Sequence, residues 1–427
     1  MALWPLRAVA QATAPARHVS EQRLWQTIQK LGEYGRNPEG GVSRVGFTEA
    51  DLAGRAYVIS LMREAGLDVR IDSAGNIRGR RAGSAQLPLL LFGSHIDSVP
   101  HGGNFDGDVG SLSAVEVIRA LNEQKIVTQH PLEVVVWTNE EGGRFYSGLF
   151  GSSAAAGVLP ADVGSHRDEN GETLASWLAR LGGDSERLGS ARIEPRNVAG
   201  YLELHIEQGA VLDEAKIPIG VVLGIVGISE RTCTAVGFAN HAGTTPMNRR
   251  QDAMLAASRA ALAVREEVRA EPGTQVGTVG KVRVEPGAAN VIPGRVTFSV
   301  ELRDLDAEKI RRIGQRVLAR FDTIAREENV KIDCSREDLD LPALTDPRFR
   351  DVIRDSAREA GLATRDLPSG AGHDAQNVAR FAPVGMIFVP SRGGISHSPL
   401  EYTPPDQVAN GAEVLYRALL RLDAQLR

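Results

Sequence analysis

The sequence predicts an α/β protein: a three-layer domain with a mixed, largely parallel sheet, interrupted by an inserted ferredoxin-like βαββαβ domain. Three observations carry that reading. At 427 residues the chain exceeds what one hydrophobic core ordinarily serves. Between residues 20 and 215 short, near-continuous apolar runs alternate with helix-like segments, the texture of a sheet covered on both faces. From residue 216 the strands alternate apolar and polar positions instead, as half-buried strands do.

In the first part "QLPLLLFGS", "PLEVVVWT" and "GYLELHIEQ" read as buried strands, with "SLSAVEVIRALNEQ" as a helix between the first two. In the second, "ERTCTAVGF" is a strand and "RRQDAMLAASRAALAVREEV" an Ala-rich helix. "QVGTVGKVRVEP" and "GRVTFSVELRD" are two further strands. The next helix sets Ile310, Ile313, Val317, Phe321 and Ile324 on one stripe, and "VKIDCSR" closes a βαββαβ order. After residue 339 the first texture returns in the helix "PRFRDVIRDSAREAG" and the buried strand "VGMIFVPS". The expected division is 1–215, 216–338 and 339–427, with the outer two segments forming one domain.

A net charge of -5 and the lack of a long Lys/Arg block argue against nucleic acid or an anionic membrane as partner. No run of about 18 apolar residues is present to span a bilayer. Small molecules are the expected partners. Cys233 and Cys334 stand in no CxxC or Cys/His pattern, so their spacing suggests neither a disulfide framework nor a thiolate metal site. The chain reads as suited to reducing surroundings, and a cytoplasmic location is expected. Residues 1–17, apolar and Ala-rich with an "AVA", read as a frayed arm; the alternative is a truncated export signal, which the missing basic start argues against.

The chemistry lies where polar residues follow apolar strands. His95 ends "LLLFGSH", Glu140 and Glu141 follow "VVVWTN", His205 ends "YLELH", and His397 follows "MIFVPSRGGIS". Ligands of α/β sheets bind beyond the carboxyl ends of the strands. One such residue means little; four ending in imidazole or paired carboxylate suggest a divalent metal site, zinc first, with manganese, cobalt or nickel compatible. Asp106, in the Gly-rich loop "HGGNFDGDVG", adds a carboxylate. Five ligands exceed one tetrahedral shell and suit two metals sharing a bridging carboxylate. Successive strand residues point to opposite faces, so one of Glu140 and Glu141 can ligate metal while the other serves as general base.

The ordered motifs "GSHIDSVPHGGNFDG", "NEEGGRF", "HIEQG", "NHAGTTPM", "GHDAQ" and "GISHSP" resemble the hydantoinase/carbamoylase group of binuclear metallohydrolases, relatives of the co-catalytic aminopeptidases. The resemblance runs from about residue 20 to the C-terminus. It implies two divalent ions per chain, one held by His95, Asp106 and His205, the other by Asp106, Glu141 and His397. Glu140 would be the base, and Asp97 the acid that orients the imidazole of His95. Gln208, His241, Asn290 and Arg303 resemble the substrate-binding residues, with His241 also stabilising the oxyanion. The inserted domain would form the contact of a homodimer and act as a lid.

Each residue has a plainer reading. His95 or His205 alone would be a structural histidine, Asp106 a turn former, the glutamate pair a solvated strand end, and Arg303 part of a solvated face with Thr297, Ser299 and Glu301. For His373 and Asp374 of "GHDAQ", structural support and substrate contact stand level. Asp108 either tunes the site or caps a helix. His18, His130 and His166 match no motif and are expected at the surface. The resemblance implies hydrolysis of the carbamoyl C–N bond of a small carboxylate-bearing ureido compound, an N-carbamoyl-L-amino acid first. Allantoate and N-carbamoyl-β-alanine are the alternatives; dipeptidase action and a non-catalytic metal-binding homologue are more remote.

Overall fold

The structure, a computed structural model, describes residues 17–426. The arm or export remnant expected at the N-terminus therefore lies, except for Arg17, outside the described residues. Two compact units result. One takes in the chain up to Val222, Thr345–Leu367 and everything from His373; the other comprises Leu223–Leu344 and Pro368–Gly372. The breaks fall several residues beyond the expected 215 and 338.

The larger sheet runs in the order Asp68–Ile71, Ile77–Arg81, Leu132–Trp137, Leu89–His95, Val198–Ile206, Val384–Val389, Ile219–Ile225. Its four middle strands are parallel and the flanking pairings antiparallel, a mixed sheet. Parallel strands are buried on both faces, and Leu132–Trp137 and Val384–Val389 are buried at every position. On one face Leu90, Phe92, Leu132, Val134, Val136, Leu202, Leu204 and Ile206 pack with the apolar stripes of helices Glu21–Leu31, Asp108–Glu123, Pro347–Glu359 and Pro405–Gln425. Burying each such side chain stabilises the fold by roughly 1.5–3 kcal/mol. The alternate residues His95, Trp137, Tyr201, Glu203 and His205 face the other way, where Trp137 Nε1 donates to the Tyr201 hydroxyl at 3.0 Å.

His130, expected at the surface, is buried: its ring nitrogens lie 2.7 Å from the Pro88 carbonyl and 2.8 Å from that of Leu426. A histidine between two carbonyl oxygens ties the segment at Pro88 to that at Leu426, a contact no local pattern announces.

In the second unit Lys331–Cys334, Gly227–Val236, Arg295–Asp304 and Val276–Thr278 form an antiparallel sheet in that order. Ala-rich helix Ala253–Arg269 and helix Ala307–Glu327 bury Ala256, Ala260, Val264, Ile310, Ile313, Val317 and Phe321 against Ala235, Val296, Phe298, Val300 and Leu302. The strand expected over "QVGTVGKVRVEP" is broken into Val276–Thr278 and Val282–Glu285, both paired with Arg295–Asp304. Between them the Lys281 carbonyl still accepts the Ser299 N–H at 3.0 Å, but its own N–H is diverted to the Ser299 hydroxyl at 3.0 Å.

The cysteines require a correction. Cys233 and Cys334 are cross-strand partners, their Cα atoms 4.0 Å apart and their sulfurs bonded. A separation of 101 residues conceals a pairing that strand register creates, so the cysteine pattern no longer supports a chain suited to reducing surroundings.

Candidate metal centre

The four parallel strands of the larger sheet deliver the polar residues to one edge. Leu89–His95 ends on His95, and His205 is the last residue but one of Val198–Ile206. Beyond Leu132–Trp137 the chain turns at Asn139, φ +53°, a left-handed conformation that asparagine tolerates; the turn sets Glu140 and Glu141 at the strand end. Gln208 and His397 also have positive φ, 59° and 52°, strain of the kind that gathers at functional sites. Gly107 has φ +67°, and a Cβ there would stand 2.4 Å from the His95 ring. Only glycine lets the Asp106 loop approach so closely.

His95, Asp106 and His205 form one group of candidate ligand atoms within 4.8 Å of one another, and Asp106, Glu141 and His397 form a second. Asp106 divides its oxygens between them. Oδ1 lies 3.0 Å from His205 Nε2 and 3.6 Å from His95 Nε2, while Oδ2 lies 3.4 Å from His397 Nε2. His397 Nε2 is 3.3 Å from Glu141 Oε2, and Glu140 Oε2 is 3.7 Å from His95 Nε2. Nδ1 of His95 faces the Asp97 carbonyl at 3.0 Å and Nδ1 of His205 that of Ile206 at 2.9 Å. Each therefore donates from Nδ1 and turns the lone pair of Nε2 inward.

The electrostatics fit cations. His95 Nε2 and Glu141 Oε1 are buried with no hydrogen-bond partner, which buried polar atoms rarely tolerate unless something else coordinates them. Burial pushes Glu140 well above the usual carboxylate range, with the charges of Asp374, Glu141 and Asp106 adding to it, and pushes Glu141 up to about 8 with Asp106 beside it. Burial also acts to raise Asp106, but His205, His397 and His95 hold it well below its ordinary value. The hydrogen bond to Asp106 raises His397 to about 9. Three imidazoles among buried carboxylates demand added positive charge, and borderline divalent ions suit this N/O donor set.

Several residues differ from expectation. Asp97 meets His95 through its main-chain carbonyl, whereas its carboxylate, 3.8 Å from His95 Nδ1, accepts the N–H groups of Glu140 and Glu141. Asp108 does not cap a helix by its side chain: Gly107 is the N-cap, and Asp108 pairs at 2.5 Å with Arg44, both buried. Gln208 donates from Nε2 to Asp106 Oδ2 at 2.6 Å. The ring of His373 stands edge-on to that of His205, centroids 4.4 Å apart, and Asp374 is buried near Glu203, so both back the site from within. Ser396, Glu401 and Glu203 were not legible as site residues, although Ser396 lies inside "GISHSP" and Glu401 just beyond it. Glu203 accepts from the Ser94 hydroxyl at 2.8 Å and the Ala375 N–H at 3.0 Å.

The second unit carries His241, Asn290 and Arg303. His241 Nδ1 accepts the N–H groups of Gly243 and Thr244 at 3.0 and 3.3 Å, which places the hydrogen of the neutral ring on Nε2. The Asn290 carbonyl accepts from Ala242 N at 2.9 Å, tying the two segments together. Arg303 donates from Nε to Glu301 at 2.7 Å and from Nη1 to the Gly370 carbonyl at 2.8 Å. These bonds fix the guanidinium plane and leave its Nη2 hydrogens for a ligand.

Residues 91–421 match the model of peptidase family M20/M25/M40, and the chain belongs to that family. It is 45% identical over 405 residues, 95% of this chain and 99% of the other, to the N-carbamoyl-L-amino acid amidohydrolase of Geobacillus stearothermophilus. To the allantoate amidohydrolase of Bacillus subtilis it is 35% identical over 398 residues, 92% and 96% of the two chains. The solved structure of a hydantoinase/carbamoylase family amidase from Burkholderia multivorans matches with TM-score 0.89 at 38% identity, covering 96% of this chain and 99% of that one. Within the broad family, then, the chain is one of the hydantoinase/carbamoylase amidohydrolases, metal-dependent enzymes.

Proposed function

We propose that the protein hydrolyses the carbamoyl C–N bond of an N-carbamoyl-L-amino acid, yielding the amino acid, ammonia and carbon dioxide. The observation that carries the reaction class is the pair of candidate ligand sets sharing Asp106, with Glu140, its side chain 9% exposed, beside them and belonging to neither. Whole-length likeness to an N-carbamoyl-L-amino acid amidohydrolase supports the substrate. Two divalent ions, zinc first with manganese, cobalt or nickel compatible, would be held by His95, Asp106 and His205 and by Asp106, Glu141 and His397. When bound they lower the pKa of a water molecule and polarise the carbonyl.

Glu140 takes a proton from the attacking water and passes it to the leaving nitrogen. His241, hydrogen on Nε2, donates to the developing oxyanion. Arg303 takes the substrate carboxylate, and Asn290 and Gln208 complete the polar contacts. The carbamate released breaks down to ammonia and carbon dioxide.

A homodimer through the second unit is part of the proposal. Leu255 and Leu262, two turns apart on helix Ala253–Arg269, are exposed, as are Val276 and Val282 on the short strands beside Arg295–Asp304. Exposed apolar residues on this helix and on the sheet edge suit a second copy of the chain.

The test is a hydrolysis panel with metal-loaded protein: N-carbamoyl-L-amino acids, allantoate, N-carbamoyl-β-alanine and an unsubstituted dipeptide. The highest kcat/KM is expected with the first. A preference for allantoate would overturn the substrate, and turnover of the dipeptide alone the reaction.

A further inference from the structure

Segment 390–403 is closed at its base. Thr403 Oγ1 donates to the Pro390 carbonyl at 3.0 Å, and Arg392 N to the Tyr402 carbonyl at 2.9 Å. From this closed loop three side chains converge on Asp106. His397 faces Oδ2 as a candidate ligand. The Ser396 hydroxyl lies 3.1 Å from Asp106 Oδ2 and 2.7 Å from Glu401 Oε2. Glu401, only 5% exposed, accepts the main-chain N–H groups of Phe105 and Asp106 on Oε1, at 3.0 and 3.1 Å. The loop is shaped around it: a Cβ on Gly103 would come within 2.0 Å of Glu401 Oε1.

We infer that Glu401 and Ser396 are positioning residues that aim the shared carboxylate of Asp106, Glu401 by holding the main chain and Ser396 by holding Oδ2. The inference rests on the two-ion reading of the site. A carboxylate serving two cations must keep each oxygen directed at its own ion, and a free side-chain torsion would spoil both. Glu401 clamps the backbone from which that torsion starts. Ser396 then restrains the oxygen on the Glu141 and His397 side. Partners of this kind typically govern metal affinity by about 10- to 100-fold.

The chemistry separates the variants. Glu401→Gln keeps an oxygen for the two N–H groups and offers an amide hydrogen to Ser396, which frees for Asp106 the single hydroxyl hydrogen that the wild type shares between Glu401 Oε2 and Asp106 Oδ2. Glu401→Leu keeps the bulk and removes every acceptor. Ser396→Ala takes the hydroxyl from Asp106 Oδ2 and from Glu401 Oε2, leaving Gln208 Nε2 on Oδ2 and the two N–H groups on Glu401 Oε1.

Metal binding is measured by calorimetry on chelator-stripped protein titrated with zinc, and activity is followed as free zinc is raised. Glu401→Gln should bind within a few-fold of wild type. Ser396→Ala should weaken one ion by about tenfold and spare the other; Glu401→Leu should weaken both. The activity lost by the weaker variants should return at high free zinc, which damage to the fold alone would not allow. Wild-type affinities in Ser396→Ala and Glu401→Leu, on a wild type that takes two ions, overturn the inference and leave the function standing. A wild type that takes fewer than two ions overturns the two-ion reading, and the inference with it.

Discussion

Asp97 holds Glu140 by its main chain: one carboxylate oxygen accepts the Glu140 N–H at 3.1 Å, and the other accepts that of Glu141 at 3.0 Å. Its own carbonyl faces His95 Nδ1 at 3.0 Å. One residue thus sets the orientation of a candidate ligand on one strand and of the glutamate pair beyond the neighbouring strand. The proposed base and the candidate ligands are held in a common frame, so a mutation at Glu140 can be read as chemistry rather than as loss of the site.

Glu140→Gln should therefore keep its metal and lose turnover. The amide preserves shape but cannot take the proton from water. General-base assistance is worth on the order of 10²–10⁴-fold, so kcat should fall at least hundredfold with metal content unchanged by elemental analysis. Undiminished kcat would move the base elsewhere.

Metal stoichiometry gives a second expectation. With Asp106 Oδ1 turned to His95 and His205, and Oδ2 to His397, chelation and reconstitution should return about two divalent ions per chain, because five ligands exceed one tetrahedral shell. Asp106→Ala should lose both ions, whereas His397→Ala should lose one. Full activity with a single tight ion would remove the bridge.

How far the sequence revealed this site depended on whether the relevant contact is local. His95 and His205 were legible because each ends an apolar strand whose parallel neighbours point the same way. Asp106 was legible only through motif order, since a lone aspartate among glycines reads as a turn. Glu401 was not: its partners lie almost three hundred residues away in the Asp106 loop, and no spacing encodes that. The same holds for Arg44 with Asp108, for Cys233 with Cys334, and for His130 between two carbonyls. The role of Asp97 was half visible, its neighbourhood to His95 being local and its grip on Glu140 and Glu141 not.

Association is the third prediction. If Leu255 and Leu262 of the helix and the sheet edge at Val276 and Val282 are covered by a second chain, light scattering should report a homodimer, and Leu262→Glu should yield monomers. If the second unit also lends His241 and Arg303 to a neighbouring chain, mixing a Glu140 variant with an Arg303 variant should restore part of the activity. No recovery despite verified subunit exchange would confine these residues to their own chain's site.

The fourth prediction concerns Arg303, proposed to read the substrate carboxylate. Glu301 and the Gly370 carbonyl fix the plane of its guanidinium from one side, so its remaining hydrogens present a rigid edge. A planar guanidinium can grip a carboxylate with two parallel charge-assisted hydrogen bonds, whereas lysine offers a point charge. Arg303→Lys should therefore not behave as a conservative change. A hydrogen bond to a charged group is worth roughly 1.5–3 kcal/mol, and about 1.4 kcal/mol is tenfold, so kcat/KM should drop at least tenfold. An arginine serving only its ion pair with Glu301 would leave kcat/KM nearly unchanged. The control is a carbamoyl substrate whose carboxylate has been amidated. On it wild type and variant should be about equally poor, because the group that Arg303 grips is gone; the same fold loss on both substrates would mean that the substitution damages the second unit and that carboxylate recognition lies elsewhere.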